Sequence, residues 1–114
     1  MMRSLLLIVT LALLGGCSDS TPVSIENRSG VLIQSVVVSG SGFKRSVGDL
    51  PPGAIVKTQV KPSGESGLDI SFRANGRDIS LPPTGYFEGG GRYAVTVVIT
   101  PKLTASVDSQ LRPY

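Results

Sequence analysis

Histidine is absent from the 114 residues, so the usual general base and metal-binding imidazole are missing. Ser-His-Asp and Cys-His mechanisms are therefore excluded within one chain. Ser41-Gly42-Phe43-Lys44 matches S-x-x-K, the pattern in which a helix holds a lysine against a serine nucleophile. Here it falls in a glycine-rich turn entering a strand, and neither S-D-N nor K-T-G accompanies it. The carboxylates Glu26, Asp49, Glu65, Asp69, Asp78 and Glu88 fall singly on turns and outward strand positions, without the D-x-D-x-D-G spacing of a calcium loop. A small hydrolase or sugar-binding enzyme would need two of them to converge across a cleft; that is the alternative to a non-catalytic reading. Asn27-Arg28-Ser29 fits the N-glycosylation pattern but reads most simply as a turn.

The stretch best suited to recognition is Leu81-Pro82-Pro83-Thr84-Gly85-Tyr86-Phe87-Glu88-Gly89-Gly90-Gly91-Arg92. It is expected to be a loop, with Tyr86, Phe87 and Arg92 as a candidate binding surface, because aromatics and arginine are favoured anchors in contact sites. Neighbours in an extended chain point to opposite sides, so one ring can plug the end of a β-domain while the other is partly exposed. The glycines do not form a phosphate cradle, since no helix start follows them. Leu111-Arg112-Pro113-Tyr114 is expected to be a frayed terminus or a docking tail.

Cys17 is the chain's single cysteine, which excludes a disulfide or thiolate zinc site within the monomer. Met1, Met2 and Arg3 make a short positive start, and Leu5 to Leu14 is an apolar run. At about 1.5 Å per residue that run covers roughly half of a ~30 Å hydrocarbon core, the length of a signal-peptide h-region. Leu14-Gly15-Gly16-Cys17 then resembles the lipobox of bacterial lipoproteins, with Gly15 where Ala or Ser is commoner. The resemblance implies that residues 1–16 are removed and that Cys17 carries a covalent diacylglycerol and an N-acyl chain. No other cofactor is expected. Two or more acyl chains hold a protein stably on a bilayer, whereas one does so only marginally. Ser18, rather than Asp, follows the cysteine, which in this class favours the outer membrane facing the periplasm if the host is Gram-negative.

The formal charge is only +3 and the signs alternate along the chain, so no basic stripe marks a nucleic-acid partner. The expected partners are membrane lipid and an envelope protein, and no metal is expected.

Residues 17–21 form a lipidated start and tether too short to reach far from the bilayer. From there the chain reads as strands punctuated by Gly and Pro. Val23 and Ile25 alternate with Ser24 and Glu26, and Val31 to Ser39 is apolar on both faces, as a central strand is. Phe43–Val47 and Ala54–Lys61 are expected to be separated by a loop over Gly48–Gly53. Tyr93, Val95, Val97 and Ile99 form the longest apolar face, and Leu103, Ala105 and Val107 form a last short strand. Asn75-Gly76 is the preferred type I′ hairpin turn, and pairing outward from it sets Ala74 opposite Arg77, Arg73 opposite Asp78, Phe72 opposite Ile79, Ser71 opposite Ser80 and Ile70 opposite Leu81. A one-residue slip would set apolar against polar, so the register is specified.

Seven to eight short strands over residues 22–108, followed by a tail at 109–114, predict a small all-β antiparallel sandwich of immunoglobulin-like or transthyretin-like type. A small closed barrel is the other arrangement such strands allow. The function expected is a membrane-anchored, non-catalytic binding or structural module of the cell envelope, acting through its sheet edges or the Tyr86–Arg92 segment.

Overall fold

The computed structural model describes residues 20–112; the lipobox, Cys17 and the final Pro113-Tyr114 lie outside the described residues. All regular structure described is β. Eight strands, β1 Thr21–Asn27, β2 Ile33–Gly40, β3 Phe43–Leu50, β4 Ile55–Val60, β5 Glu65–Ala74, β6 Arg77–Glu88, β7 Tyr93–Ile99 and β8 Ala105–Leu111, follow in order. They form two four-stranded sheets, β4-β1-β7-β8 and β3-β2-β5-β6. The expected sandwich is present, and the closed barrel is not.

Antiparallel pairing is interrupted once. β1 runs parallel to β7, with Val23 beside Val95 and Ile25 beside Val97. Burial explains the exception, because both strands are central in their sheet and both turn a continuous apolar face inward: Val23, Ile25, Val95, Val97 and Ile99 are at most 1 % exposed. Parallel strands are normally covered on their faces, and here the second sheet covers one of them. In the immunoglobulin arrangement strands A and B share a sheet; here β1 and β2 do not. Of the two sandwich types expected, the transthyretin-like one is compatible with this order.

The Asn75-Gly76 hairpin has the predicted register at every rung. Asn75 and Gly76 both have positive φ, 52° and 75°, as a type I′ turn requires, and Arg73 meets Asp78 at 2.8 Å.

Three boundaries differ from expectation by three residues or more, the others by one or two. β3 continues through Gly48 and Asp49 to Leu50. Leu50 is buried opposite Ile33, and Gly48, at φ 84°, takes up a bulge that lets the strand go on. The last strand is Ala105–Leu111 rather than Leu103–Val107. Leu103 sits in the preceding turn at φ 61°, and each residue from Ala105 to Leu111 has a partner on β7; residues 109–111 are strand, not tail. The third difference lies in the candidate loop and is described below.

The loops gather at two ends. At one end lie the chain entry at Ser20, the β2–β3 turn, the β4–β5 loop, the β6–β7 loop and the end of β8. Backbone bonds tie them together: Ser63 N–H to the Ser41 carbonyl at 2.9 Å, Gly89 N–H to Gly64 at 3.1 Å and Arg112 N–H to Arg92 at 2.7 Å. We call this the entry end. Residues 28–32, 51–54, 75–76 and 100–104 form the far end.

Candidate functional site

The segment expected to be a loop is mostly strand. β6 runs on through Leu81–Glu88, and only Gly89–Arg92 turns the chain. β6 is the edge of its sheet, so one of the adjacent Pro82 and Pro83 can turn its missing N–H outward, where it breaks no ladder, and the other falls where the ladder to β5 is interrupted. Register shifts between Ser66 and Ile70 absorb the mismatch. Gly85, at φ 76°, lies against the other sheet, and a Cβ there would meet Val107 Cγ1 at 2.7 Å. A glycine is therefore what lets β6 close the side of the sandwich onto β8.

Tyr86 and Phe87 divide as an extended chain requires. Phe87 is fully buried, Tyr86 is 47 % exposed, and the Phe87 ring lies 6.1 Å from that of Phe43, filling the entry end of the core. Tyr86 packs edge-on to Tyr93 with centroids 6.3 Å apart, and its phenol donates to Glu88 Oε2 at 2.6 Å. Arg92 stands at the mouth of β7, its carbonyl bonded by Arg112 N–H; the Arg112 guanidinium also donates to the Gly91 carbonyl. Leu111 and Arg112 are thus held in place. Of the predicted trio, Tyr86 and Arg92 are surface groups and Phe87 is core.

The hydrogen bond to Glu88, with desolvation and the negative charge of Glu65 and Glu88 behind it, pushes the Tyr86 phenol up to about 12 from 10.0. A phenol whose proton is held more tightly in the folded state contributes stability that is intact below its ordinary pKa and is lost as pH climbs through the raised one. Ultraviolet titration is expected to show the Tyr86 transition well above the ordinary phenol value of 10.0, and Glu88→Gln should bring it down. An unmoved transition in the variant would rule out the hydrogen bond as its cause.

The other chemical candidates are dispersed. Ser41 lies in the β2–β3 turn and Lys44 in β3, with no helix to hold them together. Glu26 pairs with Arg28 at 2.9 Å, Asp78 pairs with Arg73, Asp49 accepts from Ser35 N–H at 2.9 Å and Asp69 accepts from the Ser39 hydroxyl. Glu65 and Glu88 are opposite each other on one rung, a juxtaposition not read from sequence. Both are exposed and stand side by side on one sheet, not on the facing walls of a cleft as bond cleavage between carboxylates requires. Among the described residues no three acidic or thiol groups gather as a metal-binding cluster. Asn27, of the N-x-S pattern, is fully buried with its amide engaged by backbone, so it cannot be an acceptor in the folded protein.

A feature the sequence reading missed lies on the outer face of the β4-β1-β7-β8 sheet. The register lines up Gln59, Pro22, Ala94 and Gln110 in one row, with Lys57, Ser24, Thr96 and Asp108 in the next. Short side chains on the two central strands thus lie between longer ones on the edges. They floor an open trough of about 300 Å³, lined by Pro22, Ser24, Ala94, Thr96, Lys57 and Gln59. Its signal was the small outward residues of β1 and β7, but only their adjacency makes a trough.

The chain is similar in structure to a solved protein from Eubacterium rectale, determined by NMR, with a TM-score of 0.59 and 13 % identity over 85 % of this chain and 94 % of that one. At that identity the likeness shows the fold alone. No protein-family model matches the chain, and no curated protein matches it.

Proposed function

We propose that this chain is a lipid-anchored, non-catalytic binding module of a bacterial envelope, held to the membrane through Cys17 and meeting a protein partner along the trough of the β4-β1-β7-β8 sheet. The observation that carries the reading is the position of the lipobox-like Leu14-Gly15-Gly16-Cys17 directly ahead of the first strand, which begins at Thr21. An anchor placed there leaves both sheet faces free. The trough suits contact because its floor is short and partly apolar while Lys57 and Gln59 line one bank, with Asp108 and Gln110 following in register on β8. Such a mixed lining suits an extended polypeptide better than a small charged substrate.

The experiment is crosslinking capture from intact envelopes with three forms of the protein. Cys17→Ala should lose acyl labelling and move from the membrane to the soluble fraction. Ala94→Arg, which fills the trough from an outward position, should stay membrane-bound and lose the crosslinked species that wild type yields. Persistent acylation of the first variant would refute the anchor. An unchanged crosslinking pattern in the second would refute the trough.

A further inference from the structure

The end of the sandwich that an anchor at Cys17 would hold against the bilayer is not neutral. Three residue steps separate Cys17 from Ser20, a covalent reach of at most about 11 Å. Ser20 is fastened to the fold by its hydroxyl bond to Gln59 Oε1 at 2.9 Å, and it lines one recess with Gly42, Lys44 and Lys61. The entry end is therefore pinned within head-group distance, while the far end, one seven-residue strand away, lies roughly 20 Å further out at ~3.3 Å per residue.

The entry end carries what a lipid surface selects. Lys44 and Lys61 are exposed on the β3–β4 side, and Arg92 and Arg112 lie where β7 begins and β8 ends. Leu111 is 60 % exposed and Tyr86 47 %. Glu65 and Glu88 carry the opposite charge, and they lie with Tyr86 on the β5–β6 flank, the other side of the entry end from Lys44 and Lys61. Exposed cations beside an anionic leaflet are attracted to it, and an exposed leucine at the same level suits the interface.

We infer that the sandwich stands on the bilayer by its entry end, with its strands steep to the membrane. Lys44 and Lys61 lie on anionic head groups, and Leu111 sits at the head-group boundary. This rests on the anchor reading. It adds that the domain has one fixed orientation rather than swinging on its tether, and that the trough faces sideways, parallel to the membrane.

The chain contains no tryptophan, so single reporters can be placed. Full-length acylated protein carrying either Leu111→Trp at the entry end or Leu32→Trp at the far end, both at exposed positions, is bound to vesicles of phosphatidylethanolamine and phosphatidylglycerol containing head-group nitroxide lipids. Flotation reads anchoring, and quenching reads orientation. The expected result is co-flotation of both, with several-fold stronger quenching and a blue-shifted emission for L111W alone. Adding Lys44→Glu and Lys61→Glu should remove that difference while flotation persists, and replacing the anionic lipid with phosphatidylcholine should weaken it. Equal quenching of both reporters in floating protein would overturn the fixed orientation and leave the anchor standing. Failure to float would overturn the anchor, and the orientation with it.

Discussion

Phe87→Ala is expected to lower the unfolding free energy by about 3–5 kcal/mol, the range for removing a large buried ring. A domain of this size has on the order of 5–10 kcal/mol in all, so the variant should unfold at a markedly lower urea concentration. The ring is 0 % exposed and packs beside Phe43 at 6.1 Å, where the β2–β3, β4–β5 and β6–β7 connections meet. Backbone packs closely in the adjoining turn, where a Cβ at Gly89 would lie 2.6 Å from the Pro62 carbonyl oxygen. Cavity cost adds to the lost transfer energy. Phe87→Leu, which keeps most of the volume, should recover part of the loss. A loss under about 0.5 kcal/mol for the alanine variant, the size of an ordinary surface change, would mean that the ring is not core. Deleting this segment to find a binding partner would accordingly unfold the domain, and Tyr86→Ala is the variant that separates surface from core.

Asn27→Ala should cost about 3 kcal/mol, through hydrogen bonding rather than volume. The Asn27 amide is fully buried and saturated. Nδ2 donates to the Val31 carbonyl at 2.8 Å and the Leu50 carbonyl at 2.9 Å, while Oδ1 accepts from the Ser29 N–H at 2.9 Å and the Ser29 hydroxyl at 2.6 Å. Its main chain joins the β3–β4 turn as well, with Asn27 N–H to the Ala54 carbonyl at 2.9 Å and Gly53 N–H to the Asn27 carbonyl at 2.8 Å. One side chain thus links three segments of the far end, and its removal leaves several polar groups without partners, each costly when buried. Asn27→Asp sharpens the test. Its carboxylate cannot donate to two carbonyls, and burial would raise its pKa in the folded state above the unfolded value of about 3.9. That variant should be most stable at acid pH and lose stability as pH rises through the raised pKa. Chemical denaturation across pH measures both effects. A pH-independent stability for the aspartate variant would contradict the buried, donor-demanding site.

Position by position, the strands and the best-defined hairpin were legible because their causes are local. Alternation at Val23 and Ile25 declares a buried face, Asn75-Gly76 supplies the positive φ values of its turn, and the rungs from Ala74–Arg77 to Ile70–Leu81 follow by counting. The candidate site was legible only in part. That Tyr86 and Phe87 divide between surface and core follows from extended geometry. That the segment is an edge strand does not, because Pro82 and Pro83 read as a break unless the strand is known to have no neighbour on that side. The end of β3 was misplaced for a similar reason: Gly48 looks like a loop residue until Leu50 is seen to be held by Ile33 across the ladder.

Local residue pattern therefore suffices for the β character, the inward faces, the hairpin register, the absence of imidazole chemistry and the lipobox-like start. Tertiary structure alone decided that β1 lies parallel to β7, some seventy positions away, and that β6 closes on β8 through Gly85. It also decided that Pro22, Ser24, Ala94 and Thr96 floor one trough, and that Lys44, Lys61, Leu111 and Arg112 share an end with the chain entry. Strand pairing between distant segments is set by which apolar faces can be buried together at once, a property of the whole chain that no local window contains.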